Sequence, residues 1–420
     1  MADTVRVRMY NVGFGDCFVL EFPREDQPPF RVLVDCGAHR AGYPRRGWTP
    51  EDAVCAIISD ITAETALARL DVVVATHRHQ DHVSGFASPR WQDVEVEQVW
   101  MPWTENPHDP EATAIRERQS RLALGLQLAF NGPQFGARWT EAGPAEALQA
   151  LAANSLANEA AMRTLHSGFR GRPPRRFLAA RDTYAPEECP GLTVHVLGPS
   201  KDRDVIRDMD PPSGQSYLRH LEGHLAAATA ATEPVGSQRR PFARHFTIAP
   251  ADYEGGDAGP VASDDIKQIA RTVMRDDDLA AAVSLDKAIN GTSLMLMFEF
   301  GNAFLLFPGD AQWGTWNAAL RDDISRELIA RTTFYKVGHH GSHNATPVAF
   351  LADVLPANVR MWAAAASVHP VQAWPEIPRQ PLLAELRKRA ERVVLSDHTG
   401  PGPAGTQVRP EIGIDFEVPC

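Results

Sequence analysis

Three histidines and one aspartate fall within six residues of the segment THRHQDHVSG, at His77, His79, Asp81 and His82. Imidazole nitrogens and carboxylate oxygens at this density are the donor set of a metal site. On an extended turn, side chains alternate with period two, so His77 and His79 point the same way and can share one ion. Asp81 and His82 then turn toward a neighbouring ion. The donors suit zinc first and also fit manganese or iron. The competing reading is a polar turn that caps a helix, with Asp81 as the cap. Any one of these histidines alone would be read that way; the HxHxDH cluster behind an apolar strand favours metal.

The elements that must hold this cluster can be read outward from it. LDVVVATH is a buried-type strand that delivers the histidines to one rim of a sheet, and the preceding residues 51–70 carry Val54, Ile57, Ile58, Ile61 and Leu67 at helical spacing. The chain opens with VRVRMYNV, FVLEF and FRVLVDCG, strands joined by the Gly13–Gly15 turn and a proline turn at Pro28 and Pro29. Residues 107–176 change character: IRERQSRLALGLQLAF and EALQALAANSLANEAAMRTL predict a helical insertion that ends in the basic tail RGRPPRR. LTVHVLG returns as a strand at 192–198, and residues 201–288 read as a second, polar and partly helical insertion. Order resumes with the strand-like runs TSLMLMFEF, AFLLFPGDA and TTFYKVGHHGS, the helix LLAELRKRA and the strand RVVLSDHTG. Strand-rich halves on either side of a helical insert predict a two-sheet sandwich in a single domain spanning 1–420.

Composition narrows the function classes. With 42 basic and 53 acidic residues the formal charge is −11, which disfavours a nonspecific electrostatic grip on nucleic acid. A local basic track, from RGRPPRR and SQRRPFAR (237–244), is the exception to test. No apolar run approaches the ~20 residues of a bilayer span, so no membrane partner is expected. The amino terminus has no charged-then-apolar leader, and the five cysteines are scattered without a CxxC pair; both point to a cytoplasmic protein with reduced thiols.

HxHxDH resembles the signature of the metallo-β-lactamase superfamily, and further segments follow that pattern in order. They are Asn11-Val12-Gly13-Phe14-Gly15-Asp16, Asp35-Cys36-Gly37, Asn290-Gly291-Thr292-Ser293, Gly309-Asp310, Lys336-Val337-Gly338-His339-His340-Gly341-Ser342 and Asp397-His398-Thr399-Gly400. Within the superfamily they are most similar to the hydrolase domain of bacterial DNA-uptake competence proteins and to related phosphodiesterases. The resemblance implies an α/β fold, the αββα four-layer sandwich, and two divalent metal ions. It implies that Asp310 bridges both ions, since one carboxylate can hold two cations ~3.5–4 Å apart. His339 would complete the second ion, with His340 beside it as a substrate contact; the reverse assignment stays open. Asp16 and Asp35 would orient ligand imidazoles or form turns at the rim. One departure stands out: where a further histidine usually reaches the first ion, TVHVLGPS has Gly198 and Pro199, and His195 lies three residues too early.

The expected chemistry is hydrolysis of phosphodiester or phosphoester bonds through a metal-activated hydroxide. Asp81 would orient the nucleophile, and His340, Ser342, His343 and Lys336 would meet the anionic group. The substrate would be a small phosphodiester or a nucleic acid. The same fold permits hydrolysis of a β-lactam, thioester or lactone, or a sensing role in a multiprotein bacterial defence system with partners docked on the insertions.

Overall fold

The computed structural model describes residues 4–131, 154, 158–212, 214–217, 285–344, 346–372, 374–398 and 400–420. Strands β1 (Thr4–Tyr10), β2 (Cys17–Arg24) and β3 (Gln27–Cys36) form an antiparallel meander. Helix α1 (Pro50–Thr65) then crosses over to β4 (Arg69–Val74), which lies parallel to β3; α2 (Gln80–Val83), β5 (Glu95–Pro102), α3 (Pro110–Asn131), α4 (Glu159–Arg163) and the edge strand β6 (Arg175–Leu178) follow. The second sheet takes β7 (Thr183–Tyr184), β8 (Leu192–Gly198), helix α5 (Arg203–Arg207), β9 (Met295–Phe300) and β10 (Ala303–Phe307). Helices α6 (Trp313–Arg321) and α7 (Asp323–Ala330) lead to β11 (Phe334–Lys336) and β12 (Ala363–Ala366), and α8 (Gln380–Arg389) to β13 (Val393–Leu395). The chain then returns to the first sheet as β14 (Thr406–Arg409) and β15 (Gly413–Pro419), the latter antiparallel to β1. Among the described residues, the first sheet has eight strands in the order β14-β15-β1-β2-β3-β4-β5-β6, the second seven in the order β13-β12-β11-β10-β9-β8-β7.

Burial follows the two-residue period and separates the layers. Val72 and Val74 of β4 point into a core shared with Phe298, Leu305 and Phe307 of the second sheet, whereas Val73 points the other way, onto Val54, Ile57 and Ile61 of α1. A strand buried on both faces is largely apolar, which is why VVVA reads as a continuous run; Asp71 before it accepts from the Arg31 amide at 2.8 Å. On the second sheet Met295, Met297, Leu306 and Tyr335 cover the opposite face, packed under Trp316 and Ala319 of α6 and Leu382 and Leu386 of α8. Helix, sheet, sheet and helix make the four-layer αββα sandwich that the sequence predicts. Each fully buried Val, Leu or Ile in these layers contributes about 1.5–3 kcal/mol relative to exposure.

α3 and α4 lie in the described part of 107–176, and its tail joins the sheet: Arg175 and Arg176 belong to β6, paired with Val99 and Trp100. The Arg176 guanidinium lies 4.5 Å from the Tyr184 ring centroid and donates to Gln98. The backbone pairing decides this, because an edge strand needs only one apolar face. SQRRPFAR, most of the second insertion and part of EALQALAANSLANEAAMRTL lie outside the described residues.

Candidate metal centre

The site forms where the two sheets present their strand ends to each other. β4 runs out into Thr76 and the histidine segment, β10 into Gly309 and Asp310, and β11 into the His339–His340 turn. The Leu294 amide donates to the Thr76 carbonyl at 2.9 Å, tying the two rims together. Gly37, after Asp35, is required by contact: a Cβ there would sit 2.5 Å from the backbone of His82 and Val83. The absence of a side chain lets α2 rest directly on the end of β3, which brings Asp35 beneath His82.

Asp81, His82, Asp310 and His340 converge, with one ligand atom from each inside a mutual 4.8 Å, and all four are buried. The Nε2 of His82 is 3.3 Å from Asp310 Oδ2, and His340 Nε2 is 3.2 Å from Asp81 Oδ2. Behind them, hydrogen bonds fix which nitrogen faces the cluster. His82 Nδ1 donates to Asp35 Oδ2 at 2.7 Å, and His340 Nδ1 to the Ser367 carbonyl at 2.9 Å, so both present Nε2 inward. Thr76 Oγ1 gives its proton to Asp35 at 2.7 Å and so accepts from His77 Nδ1 at 3.1 Å. This leaves His77 Nε2 as a lone pair, 3.1 Å from Nδ1 of His79.

These separations fit a cation. Zinc–nitrogen bonds of ~2.0–2.1 Å at tetrahedral angles place neighbouring donors roughly 3.3 Å apart. Among the described residues, two buried atoms of the cluster, His82 Nε2 and Asp81 Oδ1, have no hydrogen-bond partner. Buried polar atoms are almost always paired, so two orphans 4.0 Å apart fit a positive ligand between them.

The electrostatics agree. Burial opposes charge on His82, but Asp310, Asp35 and Asp81 outweigh it and hold its imidazolium well above the ordinary histidine range. Burial likewise penalises Asp81 and Asp310, yet His82, with His340 for the first and with His339 and Lys336 for the second, keeps both well below the carboxylate range. The cluster is thus organised around positive charge at its centre. His77 and His79 behave oppositely: burial, reinforced by His82, pushes the first well down and the second to about 4, so both are neutral bases at pH 7, the form that binds metal.

The other residues that the sequence singles out take different places. His340 rather than His339 enters the cluster; the Nε2 of His339 stays 4.0 Å from Asp310 and its side chain is 20% exposed. Both residues have left-handed backbones, at φ 43° and 53°, and this double reversal swaps which imidazole points inward. Lys336 is buried at the end of β11. Its buried ammonium pairs with Asp16 and lies 3.9 Å from Asp310 Oδ1. Ser342 is buried too, hydrogen-bonded to His339 Nδ1 at 3.0 Å and donating to Asn344 Oδ1 at 2.7 Å, so it positions His339. His343 is partly buried, and burial together with Arg379 and His339 pushes it down to about 4. His195 bonds Glu299 at 2.8 Å across the β8–β9 pair.

Three contributors carry no motif. Asp286, on the short helix at 285–290, stands 3.7 Å from His79 Nε2, and burial beside Asp81 and Asp310 pushes its carboxyl up to about 8. Asn154 accepts from the Asp81 amide at 3.3 Å. Arg78, between the first two histidines, makes a two-pronged bond to Glu105 at 2.9 and 2.7 Å. None of these has a spacing that sequence alone distinguishes from a surface charge.

Among the described residues, no helix is long and apolar enough to cross a membrane. No protein-family model matches the chain, and no curated protein matches it. Among solved structures, the crystal structure of zinc-bound PqqB from Methylobacterium extorquens is similar at a TM-score of 0.33 and 11% identity, over 91% of this chain and 85% of that one.

Proposed function

We propose that the protein is a metal-dependent hydrolase that cleaves phosphodiester or phosphoester bonds. The observation that carries the proposal is the buried Asp81–His82–Asp310–His340 cluster, with two donor atoms left without hydrogen-bond partners among the described residues. In this reading these four residues hold one divalent cation, and His77, His79 and Asp310 hold a second. Zinc is the first choice for the donor set, with manganese or iron as alternatives.

Divalent cations at such a site supply Lewis acidity and make hydroxide available near neutral pH. The chain's own residues do the rest. Asp35 and the Ser367 carbonyl hold His82 and His340 in the tautomers that offer Nε2. Asp286 stands 3.7 Å from the far nitrogen of His79 and adds an acidic group on that side of the histidine segment. Lys336, locked between Asp16 and Asp310, offsets part of the carboxylate charge from inside the protein. His339 is the partly exposed imidazole beside Asp310, and it is placed to hold or move a proton at Nε2. Hydrolysis adds the oxygen of water to phosphorus, breaks one P–O ester bond, and leaves the departing oxygen protonated. The HHGS turn and the Asn290–Ser293 segment lean toward phosphoesters over β-lactams or thioesters, and the −11 net charge leans toward a small substrate over a long polynucleotide.

The test is elemental analysis of the purified protein together with turnover of bis(p-nitrophenyl) phosphate. Wild type is expected to hold a transition metal and hydrolyse the ester; His77→Ala and Asp310→Ala are expected to abolish turnover with an unchanged far-ultraviolet circular dichroism spectrum. Full turnover in both variants would overturn the proposal.

A further inference from the structure

A segment with no motif in it, residues 374–379, lies against the turn that carries His339 and His340. Trp374 stacks on Phe14 with centroids 5.2 Å apart and planes at 29°, and Phe14 in turn lies 4.0 Å from the ring of His340. His39 meets Trp374 edge-on at 5.2 Å. The aromatic row therefore starts at a residue of the metal cluster and runs outward to an indole that is only partly buried.

The row is built rigidly. Phe14 is 4% exposed, its amide donates to the Gly42 carbonyl at 2.8 Å, and a Cβ on Gly42 would fall 2.3 Å from the Cβ of Phe14. Trp374 is pinned from the other end. Its carbonyl accepts from Ile377, and two residues later the Arg379 amide donates to the Gly341 carbonyl at 2.9 Å. Gly341 has φ +79°, and a Cβ there would meet Pro378 at 3.0 Å, so the segment is seated on the very turn that carries His339 and His340. That seating also brings in the Arg379 guanidinium, paired with Glu376. Lys287, next to Asp286, pairs with Asp210. Both lysine and aspartate keep part of their surface in solvent, with 22% and 69% of their side chains exposed.

Among the described residues the indole meets the rings of Phe14 and His39, and part of it stays exposed beside the polar, cation-seeking cluster. It has the right chemistry for a flat ring, because an aromatic face accepts any base by stacking. We propose that Trp374, backed by Phe14, stacks on the base of a nucleotide phosphodiester whose phosphate lies at the Asp81–His82–Asp310–His340 cluster. Alkyl phosphoesters would use the cluster and leave the indole idle. The inference rests on the phosphodiesterase reading and adds the class of substrate to it.

The experiment compares two esters with the same leaving group, thymidine 5′-(p-nitrophenyl phosphate) and methyl p-nitrophenyl phosphate, on the zinc- or manganese-loaded full chain. Trp374→Ala is expected to lower kcat/KM for the nucleoside ester by roughly ten- to a hundredfold, the worth of one base stack, with less than about a threefold change for the methyl ester. Trp374→Phe is expected to retain most of the preference. Calorimetric binding of thymidine 5′-monophosphate and of ribose 5-phosphate, with wild type and Trp374→Ala, reads the platform without turnover; only the base-bearing ligand should weaken in the variant. Equal losses on both esters, or none on either, would overturn the platform and leave the hydrolase reading standing. Base-selective binding loss in a protein that turns over neither ester would do the reverse.

Discussion

His339 and His340 are adjacent in sequence and unlike in what they touch. One lies beside Ser342 at the edge of the cleft; the other is fully buried, with one nitrogen on the Ser367 carbonyl and the other on Asp81. Ligand imidazoles are held by just such a bond to the far nitrogen, and disturbing even that supporting bond typically costs 10–100-fold in metal affinity. His340→Ala should therefore weaken zinc binding at the Asp81–His82–Asp310 cluster by roughly a hundredfold or more, and His339→Ala by less than about tenfold. Competition against a chromophoric chelator measures both, and an equal or larger loss in His339→Ala would reverse the assignment. At this scale the density of donors in HxHxDH was legible, although period-two alternation applies only to its extended part, His77 and His79, and Asp81 and His82 lie on α2. The order within the histidine pair was not, since two successive left-handed residues break that alternation and no side-chain chemistry announces them. Asp286 was invisible for another reason. A lone aspartate in a polar stretch acquires meaning only once folding places it 3.7 Å from His79.

Elements add what single residues cannot: the means of keeping the histidine segment still. β5 ends in a turn carrying Glu105, whose carboxylate grips Arg78, while Asn158 at the start of α4 donates to the Arg78 carbonyl at 2.5 Å. Burial alone would raise the Glu105 carboxyl, but Arg78 and then His166 outweigh it and hold it down at about 2. A folded-state value below the unfolded one of ~4.3 means the group stabilises the fold above that unfolded value and loses the contribution as pH falls toward 2. Breaking a buried ion pair from one side costs about 3–5 kcal/mol. Glu105→Gln is thus expected to destabilise the protein by about that much at pH 7, with the gap to wild type flat above about pH 5 and closing below it. Urea titrations at stepped pH read this directly; a gap that did not change between pH 6 and pH 3 would mean the pair is not the cause. Elements buried on both faces or amphipathic in one register, such as β4, β8 and α1, could be read from sequence within a few residues. β6 could not, because RGRPPRR looks like a solvated loop until its backbone finds the edge of β5.

The whole molecule is two half-sandwiches whose joint is the site. Asp81 and His82 follow β4 of the first sheet, whereas Asp310 and His340 follow β10 and β11 of the second, and Asp81 and His340 are 259 positions apart in the chain. The layered arrangement was legible in apolar runs that suit strands buried on both faces. The strand order was not, because the parallel neighbours β3 to β6 and β10 to β13 are joined by crossovers whose length says little about who pairs with whom. A cation that takes ligands from both halves works as a cross-link between sheets, and unfolding pulls those ligands apart. Any ligand that binds only the folded chain stabilises it by RT ln(1 + [L]/Kd), about 2.7 kcal/mol at one hundred times Kd. Metal-depleted protein is therefore expected to melt several degrees below the zinc-loaded form, with Tm rising further as free zinc rises. Asp310→Ala should fold, yet lose most of that rise, since it removes the carboxylate nearest His82 from the second sheet. Replacing Glu299, the partner of His195 on the β8–β9 pair, should leave the zinc-dependent rise intact even where it lowers Tm overall. Differential scanning calorimetry over a zinc series separates these cases: a Tm indifferent to zinc in wild type, or equally responsive in Asp310→Ala, would show that no ion joins the two sheets at this rim.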